Sequence, residues 1–185
     1  MKGFIRQNLL FSLCGLNCGL CPMQLGHYCP GCGGGAGNQP CAIARCSIEN
    51  AKISFCFECP QFPCSHHRQP DPYDSFITHR NRLTDLQKAQ EVGIDAYTEE
   101  LLQKRRLLLQ LLEKYNDGRK KALFCTAANL LPLPDLQTVI ASLESAHLSD
   151  PKARAALAAS LLQQAAEKNE LSLQLRKKPS ASRTK

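Results

Sequence analysis

Cys14, Cys18 and Cys21 stand in a C-x3-C-x2-C triplet closed by Pro22, within the stretch CGLNCGLCP. Sulfur at that spacing binds metal. The same triplet holds an iron–sulfur cluster in radical enzymes, and each C-x2-C turn also suits one corner of a zinc site. Two further C-x2-C turns follow, Cys29–Cys32 (CPGC) and Cys56–Cys59 (CFEC), with Cys41 and Cys46 between them and Cys64 behind. Ten of the eleven cysteines therefore lie between Cys14 and Cys64, and only Cys125 lies beyond.

Zinc prefers four ligands in a tetrahedron, so ten thiols provide two complete sites and a spare pair. Chain order assigns Cys18, Cys21, Cys29 and Cys32 to one ion, and Cys41, Cys46, Cys56 and Cys59 to the other. Cross-braced pairing is equally open. Cys41 and Cys46 are five residues apart, so on a continuous helix they would point away from each other. They can share an ion only if Cys41 precedes the helix or the first turn is distorted. Cys14 and Cys64 are left to expand a site, act as a dithiol or pack as small hydrophobes. His66 and His67 follow Cys64 closely enough to replace a sulfur; for His67 the plainer expectation is an exposed loop histidine. His27, His79 and His147 carry no expectation of ligation. Cys125, in KKALFCTAANLL, is expected as a buried structural thiol. An iron–sulfur cluster is the rival to zinc, but the long repeated βα scaffold of a radical enzyme is not visible, and seven more cysteines would be unexplained.

Disulfides are the other use for so many cysteines, and they need an oxidising compartment. The segment MKGFIRQNLLFSLCG is interrupted by Arg6, Gln7 and Asn8 and lacks a small-residue cleavage site. No stretch approaches the ~20 apolar residues of a membrane span. A cytoplasmic protein with metal-held thiols and no membrane contact is the expectation. Its formal charge of +7 would fall to about +3 with eight thiolates and two zinc ions bound. The tail RKKPSASRTK alone carries five positive charges, so the basic balance belongs to a tail and not to a nucleic-acid-binding face. Phe55, Phe57 and Phe62 are the residues that would stack on bases were such a role real.

The elements that must position these thiols divide the chain. Residues 1–70 read as a glycine-rich head of zinc knuckles with too little apolar interior to fold without metal. A helix is expected from about Pro40 to Lys52, and ISFCF looks like a short strand. Residues 71–175 read as an all-helical body, so the fold class is mainly α. Helices are expected over 74–92, ended by Gly93, and from Thr98 as N-cap to Tyr115, with Leu101, Leu102, Leu108, Leu109, Leu112 and Tyr115 as its stripe. Gly118 stops that helix. Others run from Arg119 to Leu131, from Pro134 with Leu136, Val139, Ile140 and Leu143 on one face, and from Asp150 or Pro151 to about Leu175. Residues 176–185 read as a basic flexible tail.

The motifs CGLNCGLCP, CPGC, CAIARC and CFECPQFPC resemble, in that order, those of a prokaryotic cysteine-rich family, domain of unknown function (DUF) 3795, over roughly Ser12 to Arg68. YNDGRKKALFCTAANLLP (115–132) resembles the helical continuation of its longer members. The resemblance implies metal binding, as zinc, at Cys14, Cys18, Cys21, Cys29, Cys32, Cys41, Cys46, Cys56, Cys59 and Cys64, and brings no reaction with it. A structural-zinc interaction module with an unknown protein partner is the leading expectation; an iron–sulfur or dithiol redox protein is the alternative. Catalysis is disfavoured, because closed four-sulfur sites leave no open coordination position and no Ser-His-Asp set or nucleotide fingerprint occurs. Nothing in the sequence sets an oligomeric state.

Overall fold

The computed structural model describes residues 3–35, 41–50, 52–68 and 71–179. Pro40, the expected start of the head helix, and the last six residues of the basic tail lie outside the described residues. Among the described residues the protein is mainly α, with eight helices and no strand. They are α1 (Pro22–Leu25), α2 (Ala42–Glu49), α3 (Ser65–Arg68), α4 (Arg82–Val92), α5 (Ile94–Lys114), α6 (Lys121–Leu130), α7 (Leu133–Ser145) and α8 (Pro151–Lys168). Two C-x2-C knuckles contain 3-10 turns, Cys18–Leu20 and Cys56–Glu58.

The axis of the body is α5, which packs against α4, α6, α7 and the Cys18–Leu20 turn, while α8 covers α6 and α7. Its buried face is Tyr97, Leu101, Leu108, Leu111 and Tyr115, a line advancing three or four residues per turn. Leu102 and Leu109, expected in that stripe, are 36% and 45% exposed. Each lies one position off the line, roughly 100° around the helix. On α7 the expected face holds: Leu136, Val139, Ile140 and Leu143 are all buried. Asp150 caps α8 by accepting from the Ala153 amide at 2.8 Å. That helix ends at Lys168, short of the expected Leu175.

Three expectations about boundaries are corrected. First, α5 begins at Ile94 instead of after Thr98. Gly93, at φ +86°, ends α4 and opens α5 in one residue, a left-handed corner that glycine adopts without penalty. Thr98 lies inside the helix, where its hydroxyl accepts from Asn8 Nδ2 at 3.1 Å. Second, α4 begins at Arg82, eight residues late. Asp74 holds the preceding segment in another shape: its carboxylate accepts from the His79 amide at 2.9 Å and from the Arg176 amide and Nη2 at 2.8 and 2.7 Å. Arg176 is thereby anchored and does not belong to a free tail. Third, ISFCF is not a strand. Glu58 Oε2 accepts from the amides of Ser54 and Phe55 at 2.7 and 3.1 Å, curling the segment into the Cys56–Glu58 turn.

Head and body share one hydrophobic core. Phe11, Leu13 and Leu20 of the head, at 0%, 1% and 0% exposure, belong to the same cluster as Leu86, Tyr97 and Leu108. Burying side chains of this size stabilises by roughly 1.5–3 kcal/mol each. The expected lack of apolar interior in the head is thus corrected: the interior is supplied across the head–body contact. Gly15 permits this seating. At φ +92°, it would carry a Cβ 2.2 Å from the carbonyl oxygen of Arg82, so no other residue lets this loop rest on α4 without displacing backbone.

Candidate functional site

The thiol-bearing loops are tied together by single polar residues. Arg6, 8% exposed, sends Nε to the carbonyl of Ser54 at 2.9 Å and Nη1 to those of Asn8 and Phe11 at 3.0 and 2.9 Å. A longer contact of 3.4 Å reaches the carbonyl of Cys32, and the guanidinium lies 4.7 Å from the centre of the Phe55 ring. One side chain so joins the N-terminal segment, the Cys29–Cys32 knuckle and the Cys56–Cys59 knuckle. Ser12 organises the next loop: its hydroxyl accepts from the Leu16 amide at 2.6 Å and lies 3.3 Å from Cys14 Sγ.

All eleven cysteines carry free thiols, and the head cysteines other than Cys21 gather around two cavities. The smaller, about 20 Å³, is lined by Cys46, Cys56, Cys59 and Cys64, with Ile43, Ile53 and Phe62 as apolar walls. That volume is close to the space of a single water-sized body. The larger, about 200 Å³, is lined by Cys14, Cys18, Cys29, Cys32 and Cys41. Among the described residues no three Cys, His, Asp or Glu side chains converge closely enough to share an ion as they lie. The thiols line the cavities with their sulfurs apart.

This grouping departs from chain order at four positions, Cys14, Cys21, Cys41 and Cys64. Cys41 is the N-cap of α2, at φ −130° and ψ 125°, so it precedes the helix as one of the two expected options required. It nevertheless lines the larger cavity, while Cys46 on α2 faces the smaller one. Cys64 completes the four-thiol wall and is no longer spare; Cys14 joins the larger set. Cys21 stands to one side, its charge coupled to Cys29 and to Lys121 on α6, so the C-x3-C-x2-C triplet does not face one space.

Burial and mutual repulsion both oppose ionisation of these thiols. The Cys18 thiol is pushed up to about 12 by burial first and then by Cys32, Cys14 and Cys21. Burial also raises Cys56, followed by the neighbouring Cys14, Cys64 and Cys46. Backbone amides work in the other direction. Met23 and Gln24 donate to Cys21, Leu13 donates to Cys32, and Cys32 donates to Cys18. Arg6 also favours the Cys32 thiolate. Amides aimed at sulfur stabilise a thiolate, and a divalent cation would supply the remaining charge that burial withholds. The donor set therefore fits a thiophilic metal.

Compared with protein-family models, curated proteins and solved structures, the chain matches none.

The remaining candidates fall out as follows. His67 is 6% exposed, which corrects the expectation of an exposed loop histidine. Both its ring nitrogens are buried without a hydrogen-bond partner, its ring meets Phe62 edge-on at 5.5 Å, and burial, with Arg82 next, lowers it to about 4. Its neighbour His66, not His67, lines the four-thiol cavity. Phe55 is buried, 5.3 Å from Phe57 and 5.8 Å from Phe11 between ring centres, so it packs and does not offer a face to a base. Cys125 is buried in α6, where burial pushes its thiol up to about 12. In the YNDGRKK turn, Asn116 and Asp117 accept from the turn's own amides at 2.9 to 3.1 Å. No helix among the described residues is long and apolar enough to cross a membrane.

Sequence reasoning missed Asp85, Asn17, Tyr97 and Lys104. Tyr97 Oη donates to Asn17 Oδ1 at 2.9 Å, and Asn17 Nδ2 donates to Asp85 at 2.8 Å, at the head–body contact. Burial pushes the Asp85 carboxyl up to about 6, with Lys104, Asn17, Tyr97 and Lys88 pulling back. Lys104 falls on the line of Leu101 and Leu108, and a charge on an apolar stripe was the available signal.

Proposed function

We propose that the head is a thiol–metal module whose ions lock its loops onto a helical scaffold, and that it serves as a structural interaction module. The observation that carries this reading is the cavity of about 20 Å³ walled by Cys46, Cys56, Cys59 and Cys64. Four thiols around room for one ion is the composition of a closed zinc site. The four thiols come to this cavity from α2, the Cys56–Glu58 turn and the segment before α3, so one ion held by all four would tie three parts of the head together. When bound, zinc supplies charge that keeps the thiols ionised and crosslinks the loops, and it offers no open position for chemistry. The order of cysteines that resembles DUF 3795 supports the same reading. Ile5 and Tyr28, 86% and 78% exposed, are the apolar groups that such a head presents to a protein partner.

The larger cavity supports two fillings. A second zinc ion uses four of its five thiols. Its volume, about 200 Å³, also has room for a sulfide-bridged cluster, which the small cavity lacks. Metal analysis of the full chain purified without added metal, with its visible spectrum, separates these. A colourless protein with about two zinc per chain supports two closed sites. Brown absorbance with iron and sulfide assigns the larger cavity to a cluster. Absence of any bound metal, with the head folded, overturns the proposal.

A further inference from the structure

A cavity of another kind, about 310 Å³, opens between α3, the start of α4 and the segment around Arg176. Four guanidiniums line it, those of Arg68, Arg80, Arg82 and Arg176, against the single carboxylate of Asp71. Asp71 binds both Arg82 and His79, and the buried Asp74 binds Arg176. Among the described residues, no carboxylate pairs with Arg68 or Arg80. Arg80 is fixed instead by neutral carbonyls, donating to those of Ser172 and Gln174 at 2.6 Å each. Arg82 is steadied by the carbonyls of Cys14 and His66. Carbonyl partners hold a guanidinium in place without neutralising it; Arg82 has Asp71 as its counter-ion, and Arg80 feels Asp74 without a direct ion pair.

His67 lines the same cavity with both ring nitrogens buried and unpartnered. A buried polar group left without a partner in a native fold calls for something to complete it. Among the described residues Arg68 uses only Nε, toward the carbonyl of Pro63 at 3.2 Å, which leaves the other side of its fork free to donate. Guanidinium forks match tetrahedral oxyanions. Asp71 and Asp74 offset two of the four guanidinium charges, and the two left over suit phosphate, near two negative charges at neutral pH, better than a carboxylate with one. The volume lies at the low end of small-molecule sites, so it admits a phosphate with a small organic group attached.

We propose that this cavity binds the phosphate group of a small molecule, with Arg68 donating to it directly, His67 lining its inner wall and Arg80 and Arg82 held in fixed positions around it. The inference is independent of the metal reading, since Arg68, His67 and Arg80 line neither thiol-walled cavity.

Calorimetric titration of the purified full chain, at constant ionic strength, tests it with inorganic phosphate, glycerol phosphate and acetate in parallel. The expected result is saturable one-site binding at millimolar ligand or below, with both phosphates preferred over acetate. Tighter binding of the ester identifies an organic phosphate as the ligand, and equal binding identifies free phosphate; either supports the site. Arg68→Ala should weaken binding by about ten-fold and Arg68→Lys by less, as expected for loss of a charge-assisted bidentate contact. Arg68 is exposed, so its variants keep the same melting temperature without ligand and decide the matter even if His67→Phe does not fold. No phosphate binding, binding undiminished in Arg68→Ala, or acetate bound as tightly would each overturn the proposal.

Discussion

The body and the head reach stability by opposite means. Between α4 and α8 the chain closes on itself through apolar faces: α6 buries every residue from Phe124 to Leu130, and its polar members are satisfied within the helix, Asn129 donating to the Cys125 carbonyl at 2.9 Å and Thr126 to that of Ala122 at 2.9 Å. The head has no such repetition. Its loops depend on Arg6, Asn8, Ser12 and Glu58, each reaching backbone atoms that no regular element satisfies. A region built on repeated faces can lose one contact and relax. One built on single ties has no neighbour to take over, and a metal bound by several loops adds what repetition does not provide.

The largest expected effect comes from removing metal. A thiol-competing chelator should abolish amide-exchange protection across residues 10–64 while that of α5 and α6 persists. Hydrogen-exchange mass spectrometry reads this directly, and a head that stays protected would erase the contrast. Next is Leu108→Ala at the centre of α5, fully buried at 0% exposure, expected to cost about 2–5 kcal/mol in denaturant unfolding. Arg6→Met should cost about 2–3 kcal/mol, because several buried carbonyls lose a charged donor together. Its damage should appear as lost protection in the head before any change in the body. Uniform loss would mean that the two regions unfold as one unit.

A smaller effect sits on the contact between the regions. Asp85 holds its proton more tightly folded, with its carboxyl pushed up to about 6 from 3.8, than unfolded. Its contribution to stability is therefore full below about pH 4 and is lost as pH rises through 6. Asp85→Asn, still able to accept from Asn17, should flatten this pH dependence and raise stability at pH 7 by on the order of 1 kcal/mol. Thermal melts of both proteins from pH 4 to pH 8 test it. The smallest effect belongs to the surface: Tyr28→Ser should alter stability by less than about 0.5 kcal/mol, so a change in partner capture by that variant would report recognition alone.

How legible each region was follows from the same contrast. The α7 face and the Asp150 cap were readable because both are local, set by residues three or four apart. Gly93 was readable as an ending, yet its second role in opening α5 was hidden by Thr98, a good N-cap residue whose hydroxyl is used by Asn8 instead. The late start of α4 was not readable at all, since it depends on Asp74 meeting Arg176, 102 positions later. In the site, the thiols announced themselves by type and spacing. Their division between cavities did not, because it depends on how the Ser12–Leu16 loop and the N-cap of α2 turn Cys14 and Cys41 toward their neighbours. Arg6 gave no signal beyond one charge in an apolar stretch.

The joint ownership of Phe11, Leu13 and Leu20 by both regions has a practical outcome for anyone cutting the gene. A fragment ending near residue 70 would present those three side chains to water and clump, whatever metal it was given. Starting instead at α4 would strip the cover from Leu86 and Tyr97. The cysteine segment is therefore not a portable cassette, and in any fusion or truncation it must travel with its helices.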